Sequence, residues 1–459
     1  GGVTGMSNIS RLLTTAAAGG SSSGAFSLVY SESSYPFTNR IGSVSLNRNG
    51  TKLIFCFTRQ ITSDGRYQGY VSSIDVDTIS EDWGKVIYSG NANGRIGYTG
   101  AVEIKSGVIF TVGFCNYRAN GNSTDQLFQL LNASTGAEYE AERDTSFSGG
   151  TSAYKVVAGS NNNAYGCGQF AGPIGSGDVV AFHMNHNSNS LLMQTRQAYG
   201  DSRNDEGGSV SYMPTAGDTY IGLSRLIVSP DVSRYAGVMR LSGGAGNFTW
   251  YRNYSSGNTI NDLQYTKDVA TDENENCILW GTNNSNAFLA RLRASDGADL
   301  GQTFVEDSEG TLTATTVTCD SSGNIYALAT QGQNCKLMKF SDVGNGSADL
   351  VWQLKLRILN DTQATLGTMA INEDKELIYF YLYSNDSDGR AVLAGLPLDG
   401  SFTGTLGDLT VSASTTITAS VGNLSNVAPS GSRSVITGGL ATQTTTMASD
   451  GFTKTLTTG

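Results

Sequence analysis

Residues 319–328 read CDSSGNIYAL. A polar knot, Asp320-Ser321-Ser322-Gly323-Asn324, is followed at once by an apolar run, Ile325-Tyr326-Ala327-Leu328. One turn before one strand says little, but the shape recurs. Residues 269–280, VATDENENCILW, align with 317–328, VTCDSSGNIYAL, and set Asp272 on Asp320 and Asn276 on Asn324. Residues 369–380, MAINEDKELIYF, put Asn372 at that place; 156–167, VVAGSNNNAYGC, put Gly159 there; 227–238, IVSPDVSRYAGV, put Pro230 there. Residues 44–55 fit from Asn47 with one extra residue, and 102–110 fit with a shorter turn near Lys105. Each copy is an alternating strand, a tight polar turn and an apolar strand, which is a β-hairpin. The markers 47, 105, 159, 230, 272, 320 and 372 are spaced by 58, 54, 71, 42, 48 and 52 residues. Seven copies at such a period predict propeller blades.

A second hairpin follows the first, as in 287–304 (AFLARLRASDGADLGQTF) and 126–142 (QLFQLLNASTGAEYEAE), each turning on a glycine pair such as Asp296-Gly297, Thr135-Gly136 or Asp399-Gly400. Two hairpins make a four-stranded blade. The second strand of each unit (KLIFCF, CILWG, ELIYFYLY) is apolar on both faces rather than alternately. A strand covered on one side alternates; one buried between neighbouring blades does not. The fold expected is all-β, a β-propeller of seven four-stranded blades, with six or eight blades, a β-sandwich pair or a β-solenoid as rivals. Two segments compete to close the ring, 25–31 (AFSLVYS) and 409–415 (LTVSAST). The organisation read from the chain is an N-terminal arm over 1–24, the propeller over 25–408 and a Thr/Ser-rich tail over 409–459. That tail has almost no charge and cannot build its own core, yet its Thr, Val and Ile favour strands. Strand addition to a neighbouring subunit, or a thin β stalk, is its expected use.

The chain has 459 residues, 57 glycines and a formal net charge of −11. Phosphate binding needs clustered cations, so nucleic acid is not an expected partner. No apolar stretch reaches the length of a membrane span. The six cysteines sit apart, mostly inside apolar runs, and read as buried free thiols; pairing into disulfides is left open.

Side chains for chemistry are few. The only two histidines, His183 and His186, lie in FHMNH. Residues three apart on a strand point to opposite faces, so a blade-edge turn is a better reading than a metal pair. NDSDGR (385–390) has part of a calcium loop but lacks its further carboxylates. Glycosidase chemistry needs two placed carboxylates, and none is singled out. No GxSxG or phosphate-binding glycine motif is present. No cofactor and no metal is expected. Tyr212, Tyr251 and Tyr254 remain as binding candidates, since aromatic rings on loops stack on sugars or anchor a partner. Tyr212 falls in an apparent insertion over 199–220, which explains the spacing of 71 and suggests a contact loop.

The opening MSNISRLLTTAAAGG resembles the N-termini of structural proteins of tailed bacteriophages, especially marine ones, and the low-charge tail TVSASTTITASVGNLSN is similar to the ends of such proteins. The turn DSSGNIYA also resembles a widespread propeller repeat, which speaks of fold and not of function. The phage resemblance implies a non-enzymatic virion component at the tail: a fibre, an adhesin or a tail-tip piece. Its implied partners are other virion tail proteins, copies of itself and a host surface glycan or receptor. The alternatives are a secreted or cell-surface glycan-binding propeller and a glycan-cleaving propeller enzyme.

Overall fold

The computed structural model describes residues 24–31, 42–60, 67–89, 96–115, 125–144, 151–160, 162–170, 178–187, 190–200, 205–227, 233–243, 246–255, 264–341, 347–358, 364–384, 390–427, 432–435, 440–442, 445–449 and 453–458. They form seven antiparallel sheets. Blades 1 to 6 take their four strands in chain order from 42–89, 96–144, 151–200, 205–255, 264–307 and 313–358. Blade 7 takes three from 364–397, and its fourth is the strand Phe26–Ser31 from the other end of the chain. The innermost strands pack each against the next, and the seventh packs against the first, so the ring is closed.

The opening stretch shows why the apolar runs do not alternate. Ile325 and Ala327 belong to the cluster shared by blades 5 and 6, while Tyr326 and Leu328 belong to the cluster shared by blades 6 and 7. Seven such clusters fill the seven junctions. The polar knot is equally determined. Asp320 accepts the backbone N–H groups of Ser322 (3.0 Å) and Asn324 (2.8 Å), and its other oxygen accepts the Asn324 amide (2.7 Å). Asp272 does the same for Asn274 (2.9 Å) and Asn276 (2.8 Å). Such side-chain turns let an Asp or Asn reverse the chain in few residues.

One marker was misplaced. Pro230 lies between the second and third strands of blade 4, in residues outside those described. The equivalent first turn of blade 4 is Met213–Asp218, where Met213 N–H donates to the Asp218 carbonyl (2.9 Å). Met213 stands 54 residues after Gly159 and 59 before Asp272, so the period there is regular. There is no contact-loop insertion at Tyr212: Asp205–Tyr212 is the inner strand of blade 4. The sequence PDVSRY imitated the polar turn because the second and third strands also flank a short polar connection.

Glycine turns that follow the third strand of a blade seat tryptophans from the preceding blade. Trp83 of blade 1 donates to the Ala133 carbonyl (2.7 Å), Trp250 of blade 4 to Ala294 (2.7 Å) and Trp352 of blade 6 to Leu398 (3.2 Å). Beneath these rings lie Gly136, Gly297 and Gly400, all with φ near +70°. A Cβ on Gly136 would stand 2.4 Å from the Trp83 ring, so the glycine is required by contact as well as by backbone.

The tail corrects the sequence expectation. Its strands do not form a separate stalk, and they add to this chain's own blades rather than to a neighbour's. Leu409–Ala413 pairs on the outer edge of blade 6, where a short hairpin with Gly404–Leu406 extends it to six strands. Ile417–Val421 then joins blade 5, Ser425–Val427 blade 4, Ser432–Val435 blade 3, Leu440–Thr442 blade 2, Thr445–Ser449 blade 1 and Thr453–Thr458 blade 7. The chain thus circles the ring once, backwards, as a belt. Twist explains how a run of short strands does so. Neighbouring strands rotate by about 20–25°, so a fifth strand lies roughly at right angles to the first and follows the circumference. A step of eight residues spans about 26 Å when extended, a distance suited to one blade of outer perimeter. The other candidate for ring closure, 409–415, is therefore the belt's first step, and 26–31 is the closing strand.

Candidate functional site

The inner strands carry Ser43, Gly100, Lys155, Ser209, Asp268, Thr316 and Thr368 at equivalent places, four residues before the first-hairpin turn in six blades and five before Lys105 in blade 2. Register shifts in the inner strands of blades 2 to 7, as at Thr266/Asp268, turn this position toward the next blade. The side chain then accepts a backbone N–H across the junction. Ala101 N–H donates to Ser43 (3.1 Å), Val269 to Ser209 (2.7 Å), Val317 to Asp268 (3.0 Å) and Val44 to Thr368 (2.8 Å).

Two of the seven positions carry charge. The Lys155 ammonium of blade 3 reaches past blade 4 and pairs with Asp268 of blade 5. The Thr316 hydroxyl also donates to Asp268 (2.6 Å), and so does Val269 N–H (2.9 Å). Asp268 is 3% exposed and holds four donors from blades 3, 5 and 6. This carboxylate is saturated and charge-balanced. The arrangement ties blades together; it offers neither a free base nor a nucleophile. Glu103, near the turn end of the same inner strands, accepts the N–H groups of Arg48 (2.8 Å) and Gly107 (3.0 Å) and knits blade 1 to blade 2.

The three candidate tyrosines are dispersed. Tyr212 is half-buried at the turn end of blade 4, stacked on Tyr165 with ring centroids 5.2 Å apart, and its hydroxyl donates to Ser160 (2.9 Å). Tyr251 is half-buried on Phe248–Ser255, the fourth strand of blade 4, with its ring 6.4 Å from Phe248. Tyr254 is fully buried between blades 4 and 5, 5.9 Å from Phe288, so its ring is not available to a ligand. None of the three stands on a loop, and they form no common platform. Tyr251 and Tyr254 lie on the fourth strand of blade 4 and Tyr212 at the end of its inner strand, so all three, expected on loops, pack within or between blades instead.

His183 and His186 lie within the strand Asp178–Asn187 rather than at a turn. The His183 ring packs 4.6 Å from Tyr165, and burial lowers its pKa. Among the described residues, no group of three metal-ligating side chains converges. Most of NDSDGR lies outside the described residues, apart from Arg390, which pairs with Asp408 (2.9 Å). None of the six cysteines is in a disulfide; five are buried and Cys319 is half-buried, and burial pushes the thiols of Cys56, Cys115, Cys167, Cys277 and Cys319 up.

The hub set was missed in the sequence. Its signal was present, as a Ser or Thr four residues before four of the seven turns, but it emerges only after the blade 4 turn is placed at Met213.

No family model matches the chain, and no curated protein matches it. Solved structures do. An α-L-arabinanase from Penicillium chrysogenum is 11% identical, with a TM-score of 0.44 over 65% of this chain and 92% of its own. A protein from Lactobacillus plantarum is 11% identical, with a TM-score of 0.43 over 84% of this chain and 99% of its own. The endosialidase of phage phi92 is 8% identical, with a TM-score of 0.42 over 80% of this chain and 68% of its own. These are likenesses of overall fold, and no residue role is carried over from them.

Proposed function

We propose that the chain is a non-enzymatic structural and interaction protein of a virion, placed in a bacteriophage tail as a fibre, adhesin or tail-tip component. The observation that carries this reading is the belt. Among the described residues, a tail strand pairs with the outermost of the four strands in each of the seven blades, which gives a disc whose rim edges are covered. The hub supports it: its one described ion pair is spent on joining blades. The phage assignment itself rests on the resemblance of the opening residues and the tail. In this reading, residues preceding the closing strand attach the disc to neighbouring tail proteins. The face carrying the connections from blade to blade meets a neighbour or a host receptor by many weak polar contacts.

The test is immunogold labelling and mass spectrometry of purified particles, with the full chain and with a variant lacking residues 1–23. The full chain is expected at the tail. The variant is expected to fold and to be lost from particles. A protein found only outside intact particles, and binding soluble glycans, would replace this reading with that of a secreted glycan-binding propeller.

A further inference from the structure

The ring is interrupted covalently at one place. In blade 7 the strand Ala391–Pro397 is followed in space by Phe26–Ser31, and residues 26–30 against 395–391 hold this seam by pairing alone. Both ends of the belt meet there. At its start, the Leu406 carbonyl accepts the Ser27 hydroxyl (2.8 Å), and a Cβ on Gly407 would stand 2.8 Å from Thr457. At its end, Thr453–Thr458 pairs along the whole of Phe26–Ser31. The closing strand is therefore held on three sides: by the third strand of blade 7, by the first turn of the belt and by its last strand.

The last strand also carries a catch. Lys454 Nζ lies 2.5 Å from Glu81 Oε1, and Glu81 Oε2 accepts the Tyr70 hydroxyl (2.6 Å). The same ammonium stands 5.8 Å from the ring centroids of Tyr30 and Tyr70, within cation–π range. Tyr30 belongs to the closing strand; Tyr70 and Glu81 belong to blade 1. One lysine thus grips both sides of the junction between blades 7 and 1.

An extended strand cannot lengthen beyond about 3.6 Å per residue. Widening the seam enlarges the perimeter, so some belt strand must peel first. We propose that the belt is a strap that locks ring closure, with Thr453–Thr458 as its buckle: the closing strand leaves the ring only after the buckle lifts. This device does not depend on the virion reading.

Two variants test it. Deleting residues 453–459 bares one edge of the closing strand, so the informative amides are those directed inward, at Ala391–Pro397. By hydrogen exchange these are expected to exchange at least about 100-fold faster, with little change in the blade 5 inner strand Gln264–Thr271. Unchanged inward protection overturns the proposal. The second variant, Ser27→Cys with Thr457→Cys, staples the buckle in the full chain; the two positions are register partners, a spacing that a disulfide can bridge. Oxidation is expected to slow unfolding in guanidinium at least about 10-fold, and reductant to reverse this. A staple that forms without slowing unfolding sinks the proposal, even if the deletion variant fails to fold.

Discussion

In the hub, inner strands bury their side chains between blades and exchange side-chain to backbone hydrogen bonds across junctions. In the belt, strands of three to six residues lie on the rim, and Val421 is 74% exposed and Leu456 39%. Both are β-strands paired antiparallel on the same sheets. The hub is held by contacts that water cannot replace. The belt is held chiefly by backbone pairing, and by clasps where the blade supplies them. The Gln353 carboxamide accepts Ile417 N–H (2.9 Å) and donates to the Ile417 carbonyl (3.1 Å), as a peptide would; Gln302 does the same for Leu424 (2.9 and 2.7 Å). Ile417 and Leu424 each bury an apolar knob beside their clasp. Just before the Ile417 clasp, Lys336, fully buried, reaches Asp307 (3.1 Å), Glu309 (3.0 Å) and Thr416 (2.8 Å). The lesson is that a rim strand with little burial is held at discrete points rather than along its length.

That contrast can be broken at the hub. Asp268→Ala leaves Lys155 without its partner and Val317 N–H without its acceptor. The expected cost is about 3–5 kcal/mol by denaturant unfolding, because a buried charge left alone is expensive. Adding Lys155→Met should recover part of it; no recovery would mean that the charge is not what matters. A smaller effect is expected at the rim. Gln353→Ala removes two hydrogen bonds from a half-buried clasp and should cost about 1–2 kcal/mol, with faster exchange confined to the belt near Ile417.

The smallest effect sharpens the comparison through pH. Glu142 lies on the fourth strand of blade 2, opposite Thr442 of the belt. Burial, and then the nearby Glu140 charge, push its carboxyl up to about 7. Glu140 shares its face of the strand by alternation, while the register shift opposite Leu130/Leu131 turns Glu138 to the other face, so the crowding carboxylate is Glu140. The folded state therefore holds this proton more tightly than the unfolded chain does. Stability contributed by the protonated form is present below the ordinary carboxylate range and is lost as pH rises toward 7. Glu142→Gln should be neutral at pH 4 and stabilising at pH 8, by on the order of 1 kcal/mol once its solvent exposure is discounted. Equal effects at both pH values would assign the gain to packing instead.

Much of the blade was legible. The turn at Asp320 and the both-face burial of Ile325–Leu328 follow from local chemistry and from the need to cover a strand's two faces, whereas the sequence left 25–31 and 409–415 as rivals for closing the ring. The tyrosines were not legible. Tyr254 is as apolar and aromatic in sequence as any loop ligand contact, and only the neighbouring blade makes it core. Blade 4 misled because two polar connections lie within one unit, and local propensity does not say which of them is the first.

What the residues fixed unaided was the repeating unit: side-chain turns, apolar runs and glycine corners are decided within a dozen positions. Tertiary structure alone decided where the last fifty residues go, which charges meet across the hub and what closes the ring. Those outcomes depend on edges and partners hundreds of residues apart, and a weakly apolar Thr/Ser strand will pair with whichever edge the fold leaves open.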